Sequence, residues 1–332
     1  MSGQLTRVFA PGRVNLIGDH TDYMGGLVLP MAIDRGVTIV ATGGGAKVDL
    51  GSDQEVERAV FELPVEDPAA VEPAWARHIA GVAAEMRSAV GMVGEMTSNL
   101  PVAGLSSSAA VQVAAGLALG FEGPALELAE LCQRAEHRAT GVPCGIMDQL
   151  SIAAGVEGHA LMIDCRSLEV VPHRVPDDVQ VVIVHSGQHR ELVNSEYAIR
   201  RSQCEAAEAQ IGALRDATPE DTEALEDPVL RARARHVVTE NARVVGFVQA
   251  LQAGDYVEAG NLMVESHRSL GVDFEVSTPI LDRLVADLTA VDGVYGARLT
   301  GAGFGGAVVA LARPGALDRG FVAVPSSGAR RL

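Results

Sequence analysis

Residues 10–26 read APGRVNLIGDHTDYMGG. Between Arg13 and Asp22 they hold a guanidinium, an imidazole (His20) and two carboxylates (Asp19 and Asp22), with glycines around them that let backbone approach a ligand closely. Carboxylates and imidazole accept from and donate to vicinal hydroxyls, so the pattern suits a polyhydroxylated small molecule. On composition alone it describes a solvated turn between two strands equally well. A second stretch, LPVAGLSSSAA at 100–110, runs straight into an apolar helix. Small residues before a helix leave its first N–H groups exposed, and those groups with the helix dipole form an anion site. Ser106, Ser107 and Ser108 exceed what an N-cap needs, which favours a phosphate loop over simple capping, and a serine hydroxyl there is a hard oxygen ligand for Mg2+. A third stretch, RLTGAGFGGA at 298–307, is a glycine loop between two apolar strands and by itself only a hairpin.

At 332 residues the chain suits two domains better than one core. Hydrophobic residues make up 48% and charged residues 21%, and no apolar run is long enough to span a bilayer without interruption. The opening MSGQLTRVFAPGR reaches Pro and Gly before an apolar signal segment forms, so the expectation is a cytoplasmic protein. The net charge of −17, from 26 basic and 43 acidic residues, repels nucleic acid. Four scattered cysteines form no C-x-x-C pair and read as reduced thiols. Lys47, in a glycine-rich turn, is the only lysine, so any cation serving phosphates must be arginine, metal or backbone N–H.

Apolar runs over 35–63 predict a β meander, 74–90, 105–119 and 126–140 have helical spacing, and 159–164 and 179–185 read as strands. A long charged helix is expected from about 191 to 215, an acidic loop over 219–228, helices over 229–252 and 281–288, and a strand pair around the last glycine loop. Strands and helices are segregated, which gives an α+β fold with domains 1–172 and 173–332.

Together the three stretches, in this order, resemble the signature segments of the GHMP small-molecule kinases, and the first is close to the galactokinase signature. The likeness continues through CGIMDQ at 144–149, Ser195-Glu196-Tyr197 with Arg200-Arg201, Arg233-Ala234-Arg235-His236, and Glu265-Ser266-His267 with Glu275-Val276-Ser277, and so covers about residues 7–310. It implies two GHMP domains, the second ferredoxin-like, with the active site in the cleft that it closes, and transfer of the ATP γ-phosphate to the anomeric hydroxyl of galactose or a related sugar. Asp148 and Arg13 are the implied reacting pair. Asp19, His20, Asp22, Gly145 and Tyr197 are the implied sugar ligands. Gly104, Leu105, Ser106, Ser107, Ser108, Ala109, Gly301 and Gly303 are implied at ATP, Trp75 near adenine or else as a half-buried core indole, and Ser108 with Glu136 at Mg2+. The partners are then ATP and a sugar, with no nucleic acid and no membrane, and the protein is expected to be a monomer.

With no lysine to serve phosphates, Mg2+, Arg13 and the helix N-terminus are left to neutralise them, and Asp148 either accepts the hydroxyl proton or only orients that hydroxyl. Three departures from the family pattern stand out: Asp19 replaces the usual Glu, the phosphate loop is one residue tighter, and only Arg313–Gly320 separates the last two apolar runs. Asp19, shorter by a methylene, is expected to reach its sugar hydroxyl through water. Another GHMP kinase, acting on arabinose, N-acetylgalactosamine or mevalonate, and a sugar sensor without turnover are the alternatives. The acidic and imidazole cluster argues against mevalonate, whose carboxylate would want cations.

Overall fold

The computed structural model describes residues 5–101, 104–188 and 193–332, with the side chains of 193–195 left aside. Val102 and Ala103 of the second motif, and the first residues of the helix expected from 191, therefore lie outside the described residues.

In chain order, β1 (Thr6–Asn15), β2 (Leu27–Val28), β3 (Pro30–Gly43), β4 (Lys47–Ser52) and β5 (Ala59–Glu62) come first. Then follow α1 (Ala76–Glu85), β6 (Met92–Ser98), α2 (Ser107–Ala118), α3 (Ala125–Thr140), α4 (Met147–Ala154), β7 (His159–Asp164), β8 (Val170–Arg174) and β9 (Gln180–His185). The remainder is α5 (Val193–Ile211), α6 (Pro219–Glu223), α7 (Pro228–Ala253), α8 (Tyr256–Val272), α9 (Pro279–Thr289), β10 (Val294–Thr300), β11 (Ala307–Ala312), β12 (Phe321–Ala323) and β13 (Arg330–Arg331).

Contacts divide the chain into two compact units. The first comprises residues up to Arg13, Ala32–Glu157 and Ser326–Leu332, and the second Val14–Met31 and Gly158–Pro325. The sequence reading placed the change at 172/173. Strand pairing shifts it, because β2 hydrogen-bonds to β7 with Leu27 opposite Asp164, which carries residues 14–31 into the second unit together with the β7–β8 hairpin.

In the first unit a six-stranded sheet has the order β13-β1-β3-β6-β4-β5. This corrects the meander: β6 inserts between β3 and β4, antiparallel to β3 (Val37 opposite Ser98) and parallel to β4 (Asp49 opposite Val93). Alternating apolar residues mark a strand and its buried face but do not name its partner. Helices α1 to α4 pack on one another. A Cβ on Gly81 would lie 2.6 Å from the Ala135 carbonyl oxygen, so α1 and α3 approach as closely as they do only with glycine there.

In the second unit a four-stranded sheet, β10-β11-β9-β12, is covered by α8 and α9, and a three-stranded sheet has the order β2-β7-β8. Phe274, Leu281, Leu299 and Val308 are fully buried in its core. Residues 219–223, read as loop, form α6: Pro219 opens the helix, and Thr218 and Asp221 make a reciprocal capping box that the acidic composition concealed. No helix among the described residues is long and apolar enough to cross a membrane.

Candidate active site

Arg13 is buried on β1, and its guanidinium is fully directed. Nε donates to Asp148 Oδ1 at 2.7 Å, Nη2 to Asp148 Oδ2 at 2.9 Å and Nη1 to the Gly104 carbonyl at 2.9 Å, while its backbone N–H donates to the Leu105 carbonyl at 3.2 Å. This two-pronged pairing fixes the carboxylate plane as well as its charge. Asp148 is the second residue of α4, where the helix dipole favours an anion, and it follows the buried Gly145. Close approach of β1 to the loop requires Gly12, since a Cβ there would lie 2.8 Å from the Leu105 carbonyl.

The serine run splits. Ser106 caps α2 from the left-handed region (φ 56°, ψ 49°), and its hydroxyl donates to Asp148 Oδ2. Ser107 is exposed and Ser108 half-buried in the first turn of α2, while Leu105 and Ala109 are buried beside them. On α3, Glu136 is 13% exposed; Gln112 Nε2 donates to its Oε2, and His78 Nδ1 lies 3.2 Å from the same oxygen. Among the described residues no group of three or more His, Cys, Asp or Glu is assembled for a metal. The oxygens of Ser108 and Glu136 are nonetheless the hard donors that suit Mg2+, which keeps waters and phosphate oxygens in its other positions. Trp75 is half-buried, and its indole N–H donates to the Glu57 carbonyl at 3.0 Å.

The second unit assembles the remaining polar set. Asp19 is buried, with Oδ1 accepting the Gly301 N–H at 3.1 Å and Oδ2 accepting from Arg298, itself fully buried. Its carboxylate is engaged directly by these two groups of the protein. His20 is buried in a left-handed conformation (φ 65°). Its Nε2 faces the Ala302 carbonyl at 3.2 Å and must carry the proton, so Nδ1 accepts from the Tyr23 hydroxyl at 3.1 Å. Tyr197, on α5, lies 5.5 Å from His20 and 5.3 Å from Tyr23 between ring centroids, and Phe274 lies 4.8 Å from His20. Asp22 is half-buried at the start of a short 3-10 turn, Asp22–Met24. The glycine loop after β10, read as an ATP contact through Gly301 and Gly303, is joined to the Asp19–His20 segment through Gly301 N–H and Ala302 O, and Gly303 (φ 81°) packs on Val276.

Three family models match along the chain: the galactokinase galactose-binding signature over residues 3–42, the GHMP kinases N terminal domain over 77–156 and the GHMP kinases C terminal over 247–330. Human galactokinase is 45% identical over 330 residues, spanning 92% of this chain and 83% of the relative, and the Bos taurus galactokinase is 44% identical over 94% and 85%. The chain belongs to the galactokinase family of GHMP kinases. The crystal structure of Lactococcus lactis galactokinase complexed with galactose superposes with a TM-score of 0.91 at 31% identity, over 99% of this chain and 95% of that one. The Methanococcus jannaschii mevalonate kinase, at 20% identity and a TM-score of 0.66, shares the fold.

Family membership explains why several segments quoted above carry more than their composition suggested. Arg200 donates to the Phe274 and Glu275 carbonyls at 2.8 and 3.0 Å, and Arg233 binds the Asp273 carbonyl and the Glu275 carboxylate, so two arginines clasp the backbone that places Phe274 against His20. His236, Glu240 and Arg298 are each fully buried, and the sequence motifs alone give them no role. The signal was present: Glu240 lies on the apolar face of VVTENARVV, and Arg298 interrupts an apolar strand.

Burial pushes His20 down to about 3 and His236 down to about 4, so both rings are neutral in the folded protein near pH 7. The unfolded chain takes up protons on these rings below about pH 6.5 and the folded one does not. Their contribution to stability is therefore present above 6.5 and is lost progressively as pH falls towards 4. Chemical unfolding at a series of pH values from 7.5 to 4.5 is expected to show this decline setting in near 6.5. A midpoint unchanged down to pH 4.5 would exclude it.

Proposed function

We propose that this ATP-dependent sugar kinase transfers the γ-phosphate of ATP to the anomeric hydroxyl of galactose in the cytoplasm, with Asp148 and Arg13 at the reacting centre. The observation that supports this reading is the two-pronged Arg13–Asp148 pair, which brings together the two residues that the sequence resemblance implies at the reacting centre. Phosphoryl transfer runs through a loose transition state, so positioning and charge neutralisation supply most of the catalysis.

In this reading Asp19, His20, Asp22, Gly145 and Tyr197 hold the sugar. The His20 ring is held rigidly by the Ala302 carbonyl and the Tyr23 hydroxyl, one on each nitrogen, so a sugar hydroxyl binding to it would displace one of these two partners. Asp148 receives the proton of the reacting hydroxyl, and Arg13 and Ser106 keep that carboxylate aimed. Gly104 to Ala109 with the first turn of α2 receive phosphate, Gly301 and Gly303 approach the nucleotide, and Trp75 lies near adenine. Ser108 and Glu136 would hold Mg2+, which would supply positive charge to the phosphates in a chain whose only lysine is Lys47, at the start of β4.

The test is ADP release measured over free galactose, talose, 2-deoxygalactose, arabinose, N-acetylgalactosamine and mevalonate, with the product position read by NMR. Galactose 1-phosphate at the highest kcat/KM is expected. Release of ADP with none of them would identify a sugar-binding protein without turnover, and a higher kcat/KM on another acceptor would reassign the substrate.

A further inference from the structure

Glu240, on α7, is fully buried, and its oxygens are divided between two tasks. Oε1 accepts the Gly18 N–H at 3.0 Å and the Ser266 hydroxyl at 2.5 Å, while Oε2 accepts Arg243 Nε at 2.6 Å. Burial alone would push this carboxyl up, yet Arg243, His236, Arg298 and the Ser266 hydroxyl together hold it down to about 2, so it is charged. A buried ion pair is often no more stabilising than apolar residues of the same volume, so stability gives no reason for a carboxylate at this position. A carboxylate can, however, accept a backbone N–H from a segment 222 residues away in sequence, which an apolar side chain cannot.

His236 lies four residues earlier on α7 and so on the same face. Its Nε2–H donates to the Asp19 carbonyl at 3.0 Å, and its ring is fixed by the Ser269 hydroxyl at 2.9 Å. Asn241 Oδ1 accepts the Leu27 N–H at 2.7 Å, holding the far end of the same loop. Gly18 has φ +95°, and a Cβ there would lie 2.6 Å from the Leu27 carbonyl, so it has no side chain to anchor it; within the loop the Thr21 hydroxyl bonds the Gly18 and Leu27 carbonyls, and the Gly18 N–H is left to Glu240. The next residue but one, His20, is a non-glycine residue in the left-handed region, a conformation that persists only when its surroundings impose it.

We infer that Glu240, together with His236, is a positioning residue for the sugar: by fixing the Gly18–Asp19 backbone it sets where Asp19 and His20 point, and hence the affinity for galactose. The inference rests on the reading of Asp19, His20 and Asp22 as sugar-holding residues.

The experiment compares Glu240→Gln, Glu240→Asp, Arg243→Gln and Asp22→Asn in full-length protein, with KM for galactose and for ATP and the thermal midpoint measured on each. The Gln amide offers one acceptor oxygen where the two sides of Glu240 present donors, and Asp keeps the charge but falls short of Gly18 by a methylene. Both Glu240 variants are expected to raise KM for galactose at least fivefold with KM for ATP within twofold. Arg243→Gln, which breaks the same ion pair without touching Gly18, is expected to lower the midpoint while leaving KM for galactose within twofold. If Glu240→Gln does not accumulate as folded protein, Glu240→Asp decides by the same criterion. A raised galactose KM in Asp22→Asn alongside wild-type values in the Glu240 variants, or equal increases in the Glu240 and Arg243 variants, overturns the positioning role alone. A wild-type galactose KM in Asp22→Asn instead overturns the sugar-holding reading, and this inference with it.

Discussion

Asp148→Asn is expected to lower phosphoryl transfer by about 10²–10⁴-fold, the range a positioned general base contributes, while galactose binding stays measurable. The amide matches the carboxylate in shape but cannot take up the hydroxyl proton at this pH. It also disrupts its own surroundings, because the two oxygens of Asp148 now receive Arg13 Nε, Arg13 Nη2 and the Ser106 hydroxyl, and an Asn NH2 group must face one of the arginine donors. Galactose affinity should survive because most of the residues assigned to the sugar, Asp19, His20, Asp22 and Tyr197, are held by contacts of the second unit. Single-turnover transfer and calorimetric galactose binding on one preparation separate the two. Turnover within tenfold of wild type would show that Asp148 only orients the hydroxyl.

Arg13→Lys should reduce kcat by about 10²-fold or more, although the charge is conserved, because misplacement of a reacting group by about an ångström has an effect of that size. The guanidinium reaches both oxygens of Asp148 and the Gly104 carbonyl at once, from a residue that is only 5% exposed. An ammonium is a compact charge on a flexible stem and cannot span that fork, so the carboxylate loses its fixed plane and the Gly104 carbonyl its donor. KM for ATP and kcat are the quantities to measure. A lysine variant with near-normal kcat would reduce Arg13 to a structural residue.

The kinase assignment was legible in the sequence because its signature segments are local. Arg13 to Asp22, the serine run and the glycine loop each place several functional groups within a few residues, and the backbone conformations that they require are advertised by glycine. Helices with a strong apolar period, such as α3 and α9, could be read almost to their ends, since burial of one face dictates that period. What stayed hidden depends on partners far apart in the chain. The pairing of β6 between β3 and β4 follows from which ladder closes best, a choice that alternation in one strand does not encode. The crossing of residues 14–31 into the second unit depends on β2 finding β7. At the site, the spacing of three serines could not say that Ser106 would turn to Asp148 while Ser108 stays in the first turn of α2, because that depends on a left-handed backbone set by the tertiary fold. Nor could it say that Asp19 would be met by Arg298, or that Glu240 and His236 would reach more than 200 residues back to the Gly18 N–H and the Asp19 carbonyl. Local sequence determines which groups are present and which backbone shapes are possible; buried polar groups must find partners wherever the folded chain brings donors and acceptors together, and only the tertiary structure decides where that is.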